Sequence, residues 1–173
     1  MHLDARQWVE RFAAAGHQAR ILDVGGRNIN GTVRDLFTPA SYTTLDIRPG
    51  PGVDVQCDFL HYHGEAEPFD MILHLEVAEH TPDWRDHLTH ASTLLRPDGY
   101  LIFTAAGPGR LPHSAEDGGA LRPGEFYENI DSTELSGILS RSYSSAVVRE
   151  ARGVPAALRP GAQHGDVYAT ARR

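Results

Sequence analysis

Apolar residues along this chain switch between two spacings. Short unbroken runs are followed by stripes recurring every three or four positions, which predicts strands separated by helices. Residues 4–15 place Trp8, Phe12 and Ala15 near one helical face. Arg20 to Val24 predicts a first strand, and residues 28–37 a helix that stops before Pro39. SYTTLDI (41–47), rich in β-formers, predicts a second strand. RPGPG (48–52) reads as a turn and VDVQCDF (53–59) as a short third strand. FDMILHL (69–75) is apolar almost throughout, as expected of a strand covered on both faces.

The second half continues the alternation. TPDW predicts a helix start, with Thr81 as cap, Pro82 at the first position and Asp83 in the first turn. Trp84, Leu88, Ala91 and Leu95 make its buried stripe, and RPDG ends it. YLIFTAA (100–106) is a fifth strand. DSTEL opens another helix, with Asp131 and Glu134 spaced as a capping box. YSSAVVREA and DVYATAR predict two closing strands around a Pro/Gly-rich stretch at 153–165. The expectation is a single α/β domain over residues 1–173. Its sheet is Rossmann-like, doubly wound and mostly parallel, with a C-terminal antiparallel hairpin at one edge.

In such a sheet a ligand lies beyond the carboxyl ends of the strands, which directs attention to residues 23–31, 46–48, 58–61, 75–80 and 105–127. The first strand ends in Asp23-Val24-Gly25-Gly26, backbone that something can approach closely. Asp46 ends the second strand, where a carboxylate can accept both hydroxyls of a ribose. Together they point to a nucleoside-containing cofactor. The spacing after Gly26 fails the G-x-G-x-x-G fingerprint of nicotinamide cofactors. All sixteen basic residues are arginine, which removes P-loop and Schiff-base lysines from consideration.

Charge and length narrow the setting. A net charge of −7 argues against a broad phosphate-binding surface, so nucleic acid is a disfavoured partner. No apolar run approaches the roughly 18 residues of a membrane helix, the N-terminal MHLDARQWVE has no signal core, and one cysteine forms no intrachain disulfide. A cytoplasmic location without membrane association is expected.

Four stretches carry a family resemblance: ILDVGG, YTTLDIRPGPGVDVQCDF, FDMILHLEVAEH and LLRPDGYLIFTAAGPG. Over about residues 20–109 the chain resembles the small-molecule branch of the class I S-adenosylmethionine-dependent methyltransferases. The resemblance implies S-adenosylmethionine as cofactor. Asp23, Gly25 and Gly26 would line its methionine end. Asp46 would take the ribose hydroxyls and Ile47 would pack on the adenine. Asp58 would accept from the adenine amino group beside Phe59, and Leu75 and Glu76 would close the far side. Arg27 stands where the family has a second spaced glycine, and either folds outward or reaches the cofactor carboxylate. The helix between the second and third strands is almost gone.

Methyl transfer from a sulfonium is an in-line displacement that rests mainly on positioning. A base helps only where the acceptor loses a proton. The Gly/Pro-rich loop within 107–130 is the expected lid or acceptor pocket. His113 is the candidate base and Tyr127 the candidate to orient a small-molecule or nucleoside-type acceptor. His80 reads as structural or as part of the cofactor shell. Metal pairs are visible at His61/His63 and His87/His90, and a trio at His113, Glu116 and Asp117, but solvated histidines are the better reading and no metal is expected. Two alternatives stay open: a non-catalytic cofactor-binding module that regulates or scaffolds a partner, and a nucleic-acid methyltransferase, the latter without an N-P-P-Y or D-P-P-Y motif. Pairing into a homodimer is also open.

Overall fold

The computed structural model describes residues 3–14, 18–37, 41–64, 67–151 and 165–173. Among them seven strands form one sheet: β1 (Arg20–Val24), β2 (Ser41–Asp46), β3 (Val55–Gln56), β4 (Phe69–Leu75), β5 (Leu95–Ala106), β6 (Ser145–Ala151) and β7 (Asp166–Arg172). Their order is β3-β2-β1-β4-β5-β7-β6. The first five are parallel, and β7 runs antiparallel between β5 and β6. The α/β sheet with a C-terminal hairpin at its edge is therefore as expected. The order reverses between β1 and β4, and crevices open at such reversals.

Helices cover both faces. On one face lie α2 (Trp84–Leu94) and α3 (Ser132–Ser142). Trp84, Leu88, Ala91 and Leu94 from α2, with Leu135, Ile138 and Leu139 from α3, pack on Leu22, Ile72, Leu101, Phe103 and Ala169. On the other face α1 (Leu3–Glu10) brings Trp8 and Val9 onto Ile21, Met71, Leu73 and Ile102. Strand residues of both parities are therefore buried, which is why β4 and the end of β5 read as unbroken apolar runs.

The helix expected over 28–37 does not form. Only a 3-10 turn, Arg34–Leu36, is present. The Asn28 side chain accepts from the Gly31 N–H at 3.0 Å, the Asn28 N–H donates to the Pro51 carbonyl at 2.9 Å, and the Thr32 hydroxyl accepts from the Arg34 N–H. Such local bonds compete with a helical ladder, and Gly31 sits at φ 124°. Val33 and Phe37 reach the core regardless, so the apolar spacing reported burial rather than a helix.

Other boundaries also move. Helix α1 ends at Glu10, short of the expected 15, a position outside the described residues. Strand β3 keeps only the two residues that pair with Leu45 and Asp46. Helix α2 begins after Asp83, because the Thr81 hydroxyl accepts from the Asp83 N–H in a local turn instead of capping the helix. Leu95 starts β5 rather than ending the α2 stripe. Asp131 caps α3 as expected, but Glu134 turns to Arg85 instead of closing the box. Most of the Pro/Gly-rich stretch 153–165 lies outside the described residues.

Candidate active site

At the carboxyl ends of the parallel strands lies a cleft of about 1070 Å³. All ten residues that the family resemblance links to the cofactor line it. Gly25 sits at φ 68°, and a Cβ there would meet Val77 at 2.4 Å. A Cβ on Gly26 would meet the Asp23 carboxylate at 2.5 Å and Thr44 at 2.6 Å. The glycine pair is thus demanded by packing between β1, β2 and the turn after β4. Both glycine N–H groups donate to the Leu45 carbonyl, which pins this loop to the end of β2.

Asp23 is buried and accepts a hydrogen bond from the Tyr42 hydroxyl at 2.9 Å. Burial pushes its carboxyl up to about 7, against the pull of the Tyr42 hydrogen bond. Asp46 is held from both sides, by the Arg27 N–H at 3.2 Å and the Arg48 N–H at 2.9 Å. Beside it Ile47 is 64% exposed on the cleft wall. Asp58 accepts from the Leu60 N–H, and Phe59 is buried against the rings of His87 and His90. Cys57, the single cysteine, also lines the cleft.

Glu76 turns the chain at the end of β4 with φ 59°. Its carboxylate accepts from the Thr104 hydroxyl at 2.8 Å and from Arg110 at 2.7 Å. Arg110 in turn reaches buried Asp166, which accepts from the Tyr168 hydroxyl. This buried network ties the turn after β4 to β5 and β7. Its central cation has no local motif, so nothing in the sequence marked Arg110.

Arg27 crosses the cleft mouth. It meets Glu116 at 3.3 Å, and Glu116 also meets Arg48 at 2.5 Å. One carboxylate of the 107–130 segment thereby bridges two arginines at the ends of β1 and β2. Glu116 is drawn away from His113, and Asp117 pairs with Arg122, so the metal trio His113, Glu116 and Asp117 does not assemble. Of the other histidine pairs, His87/His90 is satisfied internally: His87 bonds His74 at 3.1 Å, and His90 bonds the Tyr62 carbonyl at 2.7 Å; His61 lies at the surface, near Asp58 at 3.6 Å.

His113 lines the cleft, and Tyr127 packs edge-on against it at 5.1 Å between ring centroids. His80 completes an aromatic triangle, 4.9 Å from His113 and 5.6 Å from Tyr127. Burial, then the neighbouring His113, pushes the His80 imidazole down to about 4. Burial, then the charge of Glu76, holds Glu79 in its neutral form above the usual carboxylate range. Glu79 is a residue that motif reading passed over; it stood in plain view between Glu76 and His80, but its burial is a tertiary fact.

This geometry agrees with the comparisons to known proteins. A family model described as a methyltransferase domain matches residues 1–142, and the chain belongs to that family. It is similar to phthiotriol/phenolphthiotriol dimycocerosates methyltransferase 1 of Mycobacterium ulcerans (strain Agy99), at 32% identity over 157 residues, covering 81% of this chain and 57% of that protein. The chain thus spans little more than half the length of that relative. Among solved structures it is similar to 1,6-didemethyltoxoflavin-N1-methyltransferase of Burkholderia thailandensis, which holds 1,6-didemethyltoxoflavin and S-adenosylhomocysteine. The identity is 25% and the TM-score 0.68, over 98% of this chain and 78% of that one. The N-methyltransferase NodS of Bradyrhizobium japonicum WM9 shares the fold, with TM-score 0.66 at 18% identity over 98% of this chain and 94% of that one. Among the described residues no helix is long and apolar enough to cross a membrane.

Proposed function

We propose that this chain binds S-adenosylmethionine and transfers its methyl group to a small-molecule acceptor by in-line displacement. The observation that carries the reading is the pairing of Asp46 with Ile47. A carboxylate anchored by two backbone N–H groups lies beside an exposed apolar side chain on one cleft wall. That pair suits a ribose diol next to a flat apolar ring. Asp58 and Phe59 extend the adenine side, and Asp23 with Gly25 and Gly26 take the methionine end. Leu75 and Glu76 close the far wall, and Arg27, at the end of β1 and paired with Glu116 of the lid, faces the cofactor.

At about 1070 Å³ the cleft stands at the upper end of the roughly 300–1,000 Å³ common for ligand sites, which supports a cofactor and a small acceptor held side by side. The acceptor lies on the side of His113 and Tyr127. His113 handles the acceptor proton and Tyr127 orients the acceptor. The segment 107–130 is the lid, and its glycines at 109, 118 and 124, all at positive φ, give it bending points. The acidic net charge and single free cysteine support a small-molecule acceptor and a cytosolic setting.

Calorimetric titration with S-adenosylhomocysteine tests the reading. Wild type should bind, and Asp46→Ala should weaken binding at least about tenfold, the value of a lost charge-assisted hydrogen bond. Wild-type protein that fails to bind either S-adenosylmethionine or its demethylated product would sink the proposal.

A further inference from the structure

Behind the cleft wall, Glu79, His80 and His113 bring one carboxylate oxygen and two ring nitrogens within 4.8 Å of one another. Glu79 is fully buried, its Oε1 accepts from the Ala106 N–H at 3.1 Å, and its Oε2 has no hydrogen-bond partner among the described residues. A buried carboxyl oxygen left this way costs free energy unless a proton or a cation meets it. The Nδ1 of His80 is likewise buried without a partner. His113 turns its Nδ1 to the Leu111 carbonyl at 3.2 Å, which orients the ring toward Glu79 and His80. A ligating histidine typically has its other nitrogen held this way.

We propose that Glu79, His80 and His113 form a divalent cation site on the acceptor side of the cleft. The donor set is two imidazoles and one carboxylate. That set suits a borderline first-row ion such as Zn²⁺, Co²⁺ or Fe²⁺ better than Mg²⁺ or Ca²⁺, which prefer all-oxygen shells. Three protein ligands leave coordination positions open, as in catalytic sites. Ligand atoms around such an ion lie about 3.3 Å apart, so the trio need draw in by no more than roughly 1.5 Å. His113 rides on the 107–130 segment and can make that movement. His80 and His113 line the cleft, so the open positions face it.

The inference rests on the methyl-transfer reading and narrows it to an acceptor hydroxyl. A hydroxyl drawn to the cation sheds its proton to solvent closer to neutrality. The oxygen then forms the new bond to the methyl carbon while the carbon–sulfur bond breaks and its electron pair stays on sulfur. His113 then acts through the cation rather than as a free base.

Cofactor-free protein titrated with Co²⁺, read by calorimetry and by the visible absorption bands of the ion, tests the site. One saturable ion should bind. Glu79→Gln, which keeps the bond to Ala106 through its amide carbonyl, should weaken binding at least about tenfold. So should His113→Ala. Even an outer partner of a metal ligand costs that much. The double variant His61→Ala/His63→Ala, which removes a surface pair, should change nothing. Absence of saturable Co²⁺ and Zn²⁺ binding in wild type would overturn the site. Binding lost in the surface variant and kept in His113→Ala would do the same. Should Glu79→Gln fail to fold, His113→Ala, on an irregular segment, decides. A parallel S-adenosylhomocysteine titration separates the two claims. Cofactor binding without Co²⁺ binding removes only the cation site; the reverse leaves the cation site standing and removes the methyl-transfer reading.

Discussion

Replacing Asp23 with asparagine should remove a pH dependence from both stability and ligand binding. Burial raises the Asp23 carboxyl from 3.8 to about 7. The folded protein therefore holds a proton that the unfolded chain has released across that range. Stability from this group is complete below about pH 4 and is lost as pH rises toward about 7. A gap of about three pH units sets a ceiling of about 4 kcal/mol on the loss. His74 and His87 run the opposite way. Burial lowers both below 6.5, so their contribution is present above 6.5 and lost as pH falls. The difference between wild type and Asp23→Asn isolates the carboxyl. For binding, an amino-acid ammonium needs the ionised form. About a tenth of Asp23 is ionised at pH 6 and about nine-tenths at pH 8, so wild type should bind S-adenosylhomocysteine about tenfold more weakly at pH 6. Methylthioadenosine, which lacks the ammonium, should show no such change. Equal affinity at the two pH values in wild type, or the same slope in Asp23→Asn, would refute the reasoning.

Arg110→Met removes the cation between the Glu76 and Asp166 carboxylates and should cost about 3–5 kcal/mol in denaturant unfolding; a loss under about 1 kcal/mol would show that the network relaxes around the change. Gly26→Ala forces a Cβ onto Asp23 and Thr44 and should cost about 1–3 kcal/mol in the same assay, with weaker S-adenosylhomocysteine binding; wild-type stability would contradict the tight packing. Glu116→Gln frees the segment from Arg27 and Arg48. Stopped-flow rates of S-adenosylhomocysteine entry and exit should both rise about two- to fivefold, as expected for partly exposed ion pairs. Rates that stay put, in the variant and in high salt, would show that these pairs do not gate the cleft.

The strands were legible because burial on two faces leaves a continuous apolar run that no helix stripe imitates. The Asp131 cap was legible because its side chain acts on N–H groups two and three residues away. The helix after the glycines was misread for a related reason. Val33 and Phe37 are spaced for a core face, but Asn28 satisfies the backbone locally and Pro51, across the chain, takes the remaining donor. Within the site, Gly25, Gly26 and Asp46 stood out because their positions follow from strand ends. Glu79 and Arg110 did not, and Glu116 stood out only as a candidate metal ligand, not as a bridge between arginines. Their meaning depends on a buried oxygen without a donor, a cation shared across 56 residues, and an ion pair across 89 residues. No local pattern encodes such distances.

The position of Cys57 has a practical consequence. A lone thiol on the wall of the cleft, next to Asp58 and Phe59, gives the protein a built-in occupancy reporter. A small thiol-alkylating probe has one thiol to modify, and a ligand filling that wall shields it. Labelling speed then reads ligand occupancy directly, without a radioactive methyl donor or a known acceptor. Acceptor candidates can be sorted by how far each changes the protection that the cofactor alone provides.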